Sequence, residues 1–251
     1  WTLQQLEKHI GARQIWSKYG RAMKEILSAY RRGGEFVRMH DNGLIWASHP
    51  THAMTWMDAV VDTGPVTGRN GYQVEINALW YNAIRYTLWL ADEYVDTQFL
   101  VEWKDMPELV RRSFMDTFWM EQDGYRADYV DDNGKNWFIR PNQVIACSVY
   151  YTMPDHLQIR SILDTVKQHL LTPKGLRTLS PRNPLYEGHY GGDQPTRDRQ
   201  YHQGTVWPWL MEHYVAARFY SHGTAFTVEA EDILAGFDDG LSNYGIGSIA
   251  E

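Results

Sequence analysis

The sequence of 251 residues predicts an all-α fold in a single domain spanning residues 1–251. Three observations support this. Apolar residues recur at spacings of three and four along seven segments, the period of a helix with one buried face. No segment shows a convincing run of the strict alternation that marks a half-buried strand. The connections are very unequal in length, which indicates antiparallel helix pairs with functional loops between some of them.

The predicted helices follow one another along the whole chain. The first stretch, residues 3–31, is expected to be interrupted near Gly11 and ended by a pair of glycines, because glycine favours helix termini. The remaining predicted helices are 74–95, 107–120, 143–151, 158–171, 205–222 and 227–243. Residues 143–151 would also suit a strand, because they include β-branched residues.

Composition excludes several classes of function. The net charge of −7, with no basic run among aromatic residues, argues against a nucleic-acid partner. No stretch approaches the roughly 20 apolar residues of a membrane span, and the first residues lack the pattern of a signal peptide. Cys147 is the single cysteine, which favours a reducing setting, so we expect a cytoplasmic protein.

Aromatic residues are unusually common and concentrate in long connections. The chain is 14% aromatic, with 11 Trp and 16 Tyr, many of them in connections 34–73, 128–143, 180–207 and 243–251. The same connections contain carboxylates, arginines, amides and histidines. These groups satisfy vicinal hydroxyls, while aromatic faces cover the apolar face of a sugar ring. The mixture therefore predicts a pocket for a neutral, polyhydroxylated ligand.

Individual residues in these connections also have simpler interpretations. Asp58 could be a helix N-cap or a surface acid, and Arg140 could form a surface ion pair. His49 and His52 could ligate a metal, but no established metal-site spacing is present, so we expect neither a metal nor a cofactor. Cys147 has no adjacent histidine and is not predicted to act as a nucleophile.

Six motifs occur in a characteristic order, and they are TWMDA (55–59), GRNGYQVEINALWYNAI (68–84), RPNQ (140–143), LLTPKGLRTLSP (170–181), YHQGTVWPWL (201–210) and GIGSIAE (245–251). Together they resemble the amylo-α-1,6-glucosidase domain of glycogen debranching enzymes. The resemblance implies an (α/α)6 toroid of the six-hairpin glycosidase type, with the active site in loops at one end. Family segments expected before and after this sequence are missing from it, so we expect the toroid to be incomplete.

The resemblance also implies an activity and a catalytic pair. The family hydrolyses the single α-1,6-linked glucose left at a branch point of glycogen or limit dextrin, with inversion. Asp58 matches the general acid and Glu251 the general base, two carboxyls that an inverting enzyme holds roughly 6.5–9.5 Å apart. Because Asp58 lies among Trp56, Met54 and Met57, we expect it to be partly desolvated, which favours a protonated acid.

The matching motifs also assign a glucose pocket and its supporting residues. These are Trp56, Arg69, Glu75, Asn77, Trp80, Asn82, Arg140, Asn142, Gln143, His202, Gln203 and Trp207. Tyr190, Arg197 and Asp198 are expected at the mouth of the cavity.

The expected partners are a branched α-glucan and other domains of a longer chain. Two alternatives remain open from the sequence. The first is another inverting α-glycosidase of the same fold, trehalase-like or glucoamylase-like. The second is an α-glucan-binding module without catalysis, in which Asp58 and Glu251 have no chemical role.

Overall fold

The computed structural model describes residues 1–238, 240–243 and 246–249. Its α-helices are α1 (Thr2–Ile10), α2 (Ala12–Arg32), α3 (Val74–Glu93), α4 (Thr97–Trp103), α5 (Met106–Phe118), α6 (Asn142–Ser148), α7 (His156–His169), α8 (Gln194–Gln200), α9 (Leu210–His222) and α10 (Thr227–Ala235). Short 3-10 helices cover Gly223–Phe226 and Gly240–Ser242.

Short antiparallel strands occupy the connections between the helices. They are β1 (Val37–Met39), β2 (Ile45–Ala47), β3 (Val60–Val61), β4 (Gly64–Pro65), β5 (Tyr72–Gln73), β6 (Trp119–Met120), β7 (Tyr125–Arg126), β8 (Tyr129–Asp131), β9 (Gly134–Lys135), β10 (Leu171–Thr172), β11 (Gly175–Arg177) and β12 (Val206–Trp207). The pairs are β1–β2, β3–β4 and β6–β7, and the three-stranded sheets are β5–β8–β9 and β10–β11–β12. The fold is therefore helical but not purely α.

The helices alternate between an inner and an outer position along the chain. Helix α6 packs against both α3 and α9, so these three form an inner row. Helices α2 and α5 pack on α3, and α7 packs on α6 and α9, from the other side. This alternation is the arrangement of an (α/α) toroid, because each outer helix covers the faces of the inner helices that turn away from the centre.

Helix α3 shows why the inner row must be surrounded. Apolar residues on several of its faces are fully buried, including Val74, Ala78, Ile84 and Leu90. A helix that is apolar around most of its circumference needs neighbours on every side, and α2, α4, α5 and α6 supply them. Although α3 has 20 residues, no helix in the described part of the chain is long and apolar enough to cross a membrane.

The helices predicted from periodicity are confirmed with changes at their ends. Residues 3–31 form α1 and α2, and Gly11 between them has a φ of +80°. Helix α9 begins at Leu210 rather than at residue 205, because Trp207 pairs with Leu176 of β11. Helix α10 ends at Ala235, before the predicted residue 243. Sequence periodicity missed α4 and α8, which have seven residues each and make only two turns.

The start of α7 offers a test of one local contribution to stability. The Asp155 carboxylate accepts a hydrogen bond from the Gln158 N–H at 2.8 Å, and the Gln158 side chain accepts one from the Asp155 N–H, forming a capping box. We expect Asp155→Ala to lower the free energy of unfolding by about 1 kcal/mol, measured by urea denaturation. Asp155→Asn keeps the accepting oxygen and should cost much less; an equal loss in both variants would contradict the capping role.

Candidate functional site

Asp58 lies on the surface of an extended segment that leads into β3. Met57 and Ala59 are buried, whereas Asp58 and Val60 are exposed. This is the two-residue alternation of extended backbone, in which successive side chains point to opposite sides. The expectation that Trp56, Met54 and Met57 desolvate Asp58 is therefore wrong, because Met57 is buried on the opposite side, Met54 and Trp56 are half-buried, and the Asp58 side chain is exposed. The side chain also caps no helix among the described residues.

Trp56 is fixed in place two residues before Asp58. Its indole N–H donates to the side-chain oxygen of Asn142 at 2.8 Å. Its ring meets three other rings nearly at right angles, with centroid distances of 5.3 Å to His202, 6.0 Å to Trp207 and 5.0 Å to Trp209. Aromatic pairs favour this edge-to-face geometry. The ring is consequently held from several sides while the residue stays half-buried.

A buried charge cluster lies beneath this segment and consists of Arg69, Glu75, Asp128, Arg140 and Asn142. Arg69 donates to both carboxylate oxygens of Glu75, at 2.5 and 2.7 Å. The Asp128 carboxylate accepts from Arg69 at 2.7 and 3.1 Å and from the Asn142 amide at 2.7 Å. The Arg140 Nε atom lies 3.7 Å from the Asp128 carboxylate.

Balanced charge explains how the buried charge cluster is tolerated in the interior. Burial by itself would lower the pKa of Arg69, but the Asp128 and Glu75 carboxylates outweigh burial, and this pKa is raised. Burial lowers the pKa of Arg140 to about 10, with Asp128 opposing the shift and Arg69 reinforcing it. Two guanidinium groups thus share two carboxylates, which is the condition under which ionic groups are found buried.

Local structure places each member of this cluster. Glu75 lies in the first turn of α3, where a negative charge is favoured by the helix dipole. Asn142 is the first residue of α6, and Arg140 is two residues earlier. Asp128 immediately precedes β8, which pairs with β5 and so returns to the start of α3. The cluster therefore forms where two inner helices begin.

Arg140 joins the third long connection to the buried charge cluster. Its guanidinium donates to the carbonyl oxygens of Thr178 at 2.9 Å and His202 at 2.6 Å, and to the Gln203 side chain at 2.8 Å. The next residue, Gly204, has a φ of +152°, and a Cβ added there would lie 2.2 Å from the Glu187 carbonyl oxygen. Glycine is thus required at residue 204 for its close approach to the backbone of Glu187.

His202 is a neutral imidazole in this arrangement. Burial lowers the pKa of His202 to about 4, with the Asp58 carboxylate opposing the shift and Arg140 and Arg69 reinforcing it. The ring stacks on Trp207 at a centroid distance of 5.8 Å, and its buried Nδ1 has no hydrogen-bond partner among the described residues. Asp58 is therefore close enough to His202 to act on it electrostatically.

Three of the predicted pocket residues lie elsewhere on α3 and have structural contacts. The Asn77 side chain bonds to the backbone N–H and C=O of Ile45, at 2.7 and 3.0 Å. The Trp80 indole donates to the Gly43 carbonyl oxygen at 3.0 Å and packs in the apolar core. Asn82 exchanges hydrogen bonds with the Gln4 side chain. These side chains fix β2, its turn and α1 to α3.

Of the remaining predicted residues, one is buried at the start of α6, three lie in or near the third long connection, and one is outside the described residues. Gln143 accepts from the Arg126 backbone N–H at 3.1 Å and is buried at the start of α6. Tyr190 is 46% exposed and lines a cavity of about 980 Å³ together with Glu187. Helix α8, which contains Arg197 and Asp198, packs against β3 directly after Asp58. Glu251, the predicted base, lies outside the described residues.

An open cleft adjoins the buried charge cluster at the beginnings of α3 and α9. Its volume is about 750 Å³, and its walls include Trp56, Glu75, Ile145, Trp209 and Glu212. That size is within the range of ligand-binding clefts. Trp56 and Glu75 therefore connect the interior of the site to a surface large enough for sugar units.

Sequence reasoning missed three residues that the structure places here. Asp128, the centre of the buried charge cluster, is one of three acids in the stretch DYVDD, and nothing in the sequence distinguishes it from its neighbours. Trp209 and Glu212 lie at the start of α9. Their signal was present, because Trp209 belongs to the motif YHQGTVWPWL and Glu212 follows it by one helical turn.

Substitution of Asp128 tests how strongly the free energy of unfolding depends on charge balance in the buried charge cluster. We expect Asp128→Ala to lower the free energy of unfolding by about 3–5 kcal/mol, because Arg69 and Asn142 would lose a buried acceptor. Urea denaturation measures the effect. Asp132→Ala, at an exposed position four residues later in the sequence, is the matched control and should change little; similar losses in both variants would contradict the assignment.

The lowered pKa of His202 predicts how the free energy of unfolding depends on pH. Burial lowers the folded-state pKa of His202 from its ordinary value of 6.5 to about 4, so between these values the unfolded chain binds more protons. Stability should therefore fall as the pH falls from about 6.5 to 4, and His202 should contribute about 3 kcal/mol of that fall. In urea denaturation from pH 7.5 to 4, His202→Gln should show a shallower fall than the unsubstituted protein, while exposed His9→Gln should not. Parallel curves for all three would refute this assignment.

Comparison with known proteins identifies the family of the chain and its fold. A glycogen debranching enzyme from Saccharomyces cerevisiae (strain ATCC 204508 / S288c) is 27% identical over 224 residues, and the match covers 72% of this chain but 14% of that enzyme. The chain thus spans a small part of the length of this relative.

Solved structures support the toroid. A neutral trehalase from Saccharomyces cerevisiae has a TM-score of 0.56 at 16% identity, covering 72% of this chain and 33% of that one. A sialidase has a TM-score of 0.69 at 12% identity, with coverages of 93% and 21%. A GH78 rhamnosidase of Bacillus sp. GL1 has a TM-score of 0.54 at 13% identity, with coverages of 96% and 22%. At these identities the similarity concerns the fold, and it confirms the (α/α) toroid class predicted from the motifs.

The family itself is given by the whole sequence. A family model described as amylo-alpha-1,6-glucosidase matches residues 1–251. Because this match extends over every residue of the sequence, the chain belongs to the amylo-alpha-1,6-glucosidase family of glycoside hydrolases.

Proposed function

We propose that the protein hydrolyses the single α-1,6-linked glucose at branch points of glycogen or limit dextrin, with inversion at the anomeric carbon. Family membership and the relationship to a glycogen debranching enzyme support this substrate. The substrate would be a branched α-glucan, and the protein would act on it in the cytoplasm. Asp58 would be the general acid and Glu251 the general base.

The observation that carries this proposal is the contrast between Asp58 and its surroundings. The Asp58 side chain is exposed, yet the adjoining Trp56 is held by Asn142 and through it by the buried charge cluster. A carboxyl that is open to a ligand, on a segment that is held in place by hydrogen bonds, is suited to meet a glycosidic oxygen in a fixed position. Such positioning is a principal source of catalytic acceleration.

The proposed reaction needs a protonated carboxyl on one side of the sugar and an ionised one on the other. Asp58 would donate its proton to the glycosidic oxygen as the bond to the anomeric carbon breaks. Glu251 would remove a proton from a water molecule that attacks the opposite face. Because Asp58 is exposed in the free protein, the bound glucan itself would have to shield this carboxyl from water.

Neutral His202 fits the same proposal. An imidazole without charge leaves the Asp58 carboxyl free of a competing cationic donor close by, so its proton remains available to the leaving oxygen. The electrostatic contact between the two residues and the low pKa of His202, about 4, support this reading. Trp56 and Trp207, which pack around His202, would supply the apolar wall of the glucose pocket.

Substitution of Asp58 tests the role of general acid. Asp58→Asn should reduce glucose release from a branched limit dextrin by about a hundredfold or more, with the urea midpoint unchanged because the residue is exposed. Glucose is measured enzymatically. For the unsubstituted protein, NMR of the glucose first released should show the β-anomer. Asp62→Asn, at a nearby exposed position, is the control and should retain activity.

Three results would count against the proposal. Retained turnover in Asp58→Asn would remove Asp58 from the acid role, and initial release of α-glucose would rule out inversion. Faster release of glucose from trehalose or maltose than from the branched dextrin would replace the substrate with that of another α-glycosidase.

A further inference from the structure

The polar residues of the buried charge cluster have little capacity left for a ligand. Arg69 makes hydrogen bonds to Glu75, Asp128 and Thr55, and Arg140 is engaged by two carbonyl groups and Gln203. Both arginines are 3% exposed. A sugar hydroxyl could reach them only by displacing contacts that balance buried charge, which is costly. The surface that touches sugar must therefore be formed largely by other residues.

Trp209 presents such a surface in the 750 Å³ cleft. It is 42% exposed although two neighbours hold it, since Trp56 meets its ring at 86° with a centroid distance of 5.0 Å and His213 meets it at 83° and 6.0 Å. The ring is oriented without being covered. An ordered, open indole is the platform on which the apolar face of a pyranose stacks.

Glu212 supplies a carboxylate beside this indole. It lies three residues after Trp209, at the start of α9, so both project from one face of the helix. Glu212 is exposed, lines the same cleft and makes no hydrogen bond or ion pair within the part of the chain that the structure describes. A free carboxylate can accept two hydrogen bonds from neighbouring hydroxyls of one sugar.

We propose that Trp209 and Glu212 form a subsite for a glucose unit of the α-glucan, with the indole stacking on the ring and the carboxylate accepting from vicinal hydroxyls. This inference rests on the proposed function and specifies which residues bind its substrate. Trp56 contacts Trp209 and is two residues from Asp58 in the sequence. The subsite therefore adjoins the proposed site of bond cleavage without including its acid.

Binding measured apart from turnover tests the subsite. The full chain carrying Asp58→Asn is titrated with a branched limit dextrin by isothermal calorimetry, alone and with Trp209→Ala, Trp209→Phe or Glu212→Gln. We expect Trp209→Ala to raise Kd at least about tenfold, as for a central aromatic contact, with Trp209→Phe intermediate. Glu212→Gln, an exposed change that disturbs no packing, should raise Kd about fivefold to tenfold through weaker hydrogen bonds.

Two substitutions away from the cleft serve as matched controls. Trp137 is 53% exposed and Glu231 is exposed on α10, and neither lines this cleft. Trp137→Ala and Glu231→Gln should leave Kd unchanged within about twofold. In the catalytically intact chain, Trp209→Phe and Glu212→Gln should raise KM more than they lower kcat, because they weaken binding rather than proton transfer.

The outcomes separate the subsite from the proposed reaction. If Glu212→Gln and Trp209→Phe bind the dextrin as tightly as their parent while the intact chain still releases glucose, the subsite is wrong and the reaction stands. If the parent binds no dextrin and releases no glucose, both are overturned. An equal rise of Kd in Trp137→Ala would also overturn the subsite, since the effect would then be unrelated to the cleft.

Discussion

The pairing of Arg69 with Glu75 and Asp128 is the constraint on which the arrangement of the site depends. The Arg69 guanidinium is 3% exposed, and the Glu75 and Asp128 carboxylates balance its charge in the interior. One of them lies at the start of α3 and the other precedes β8, so three separate segments must meet for the chain to fold. Ion pairs of this kind often contribute little net stability compared with an apolar core. Here they join the segment of Arg69 to the start of α3 and to the residue before β8.

Sequence periodicity predicted the helices well because their burial is repetitive. Along α7 the buried apolar residues return every third or fourth position, and each return strengthens the pattern. The strands have no such redundancy: β5 and β12 contain two residues each, and their pairing depends on partners more than thirty residues away, such as Leu176 for Trp207. Nothing local in the sequence specifies those partners.

The motifs assigned residues such as Trp56, Arg140 and His202 to one site, and that assignment stays a prediction. The motifs could not show which way each of these side chains points. Asp58 itself was expected to be desolvated because its sequence neighbours are apolar, whereas extended backbone sends Met57 inward and Asp58 outward. Proximity in sequence gave the wrong environment, since alternation separates adjacent residues. Asn77 and Trp80 on α3 also lie within a matching motif, yet their side chains bond to the backbone of Ile45 and Gly43 and so fix β2 and its turn.

The hydrogen bonds of Asn142 connect the buried charge cluster to Trp56, which is half-buried. The Asp128 carboxylate accepts hydrogen bonds from Arg69 and Asn142, and the indole of Trp56 can only donate one. Asn142 lies between them, so its NH2 group must face Asp128 and its oxygen must face Trp56. A single orientation of one amide therefore follows from the types of its two neighbours. The buried charge cluster thereby fixes, through Asn142, the position of the Trp56 ring, two residues before Asp58.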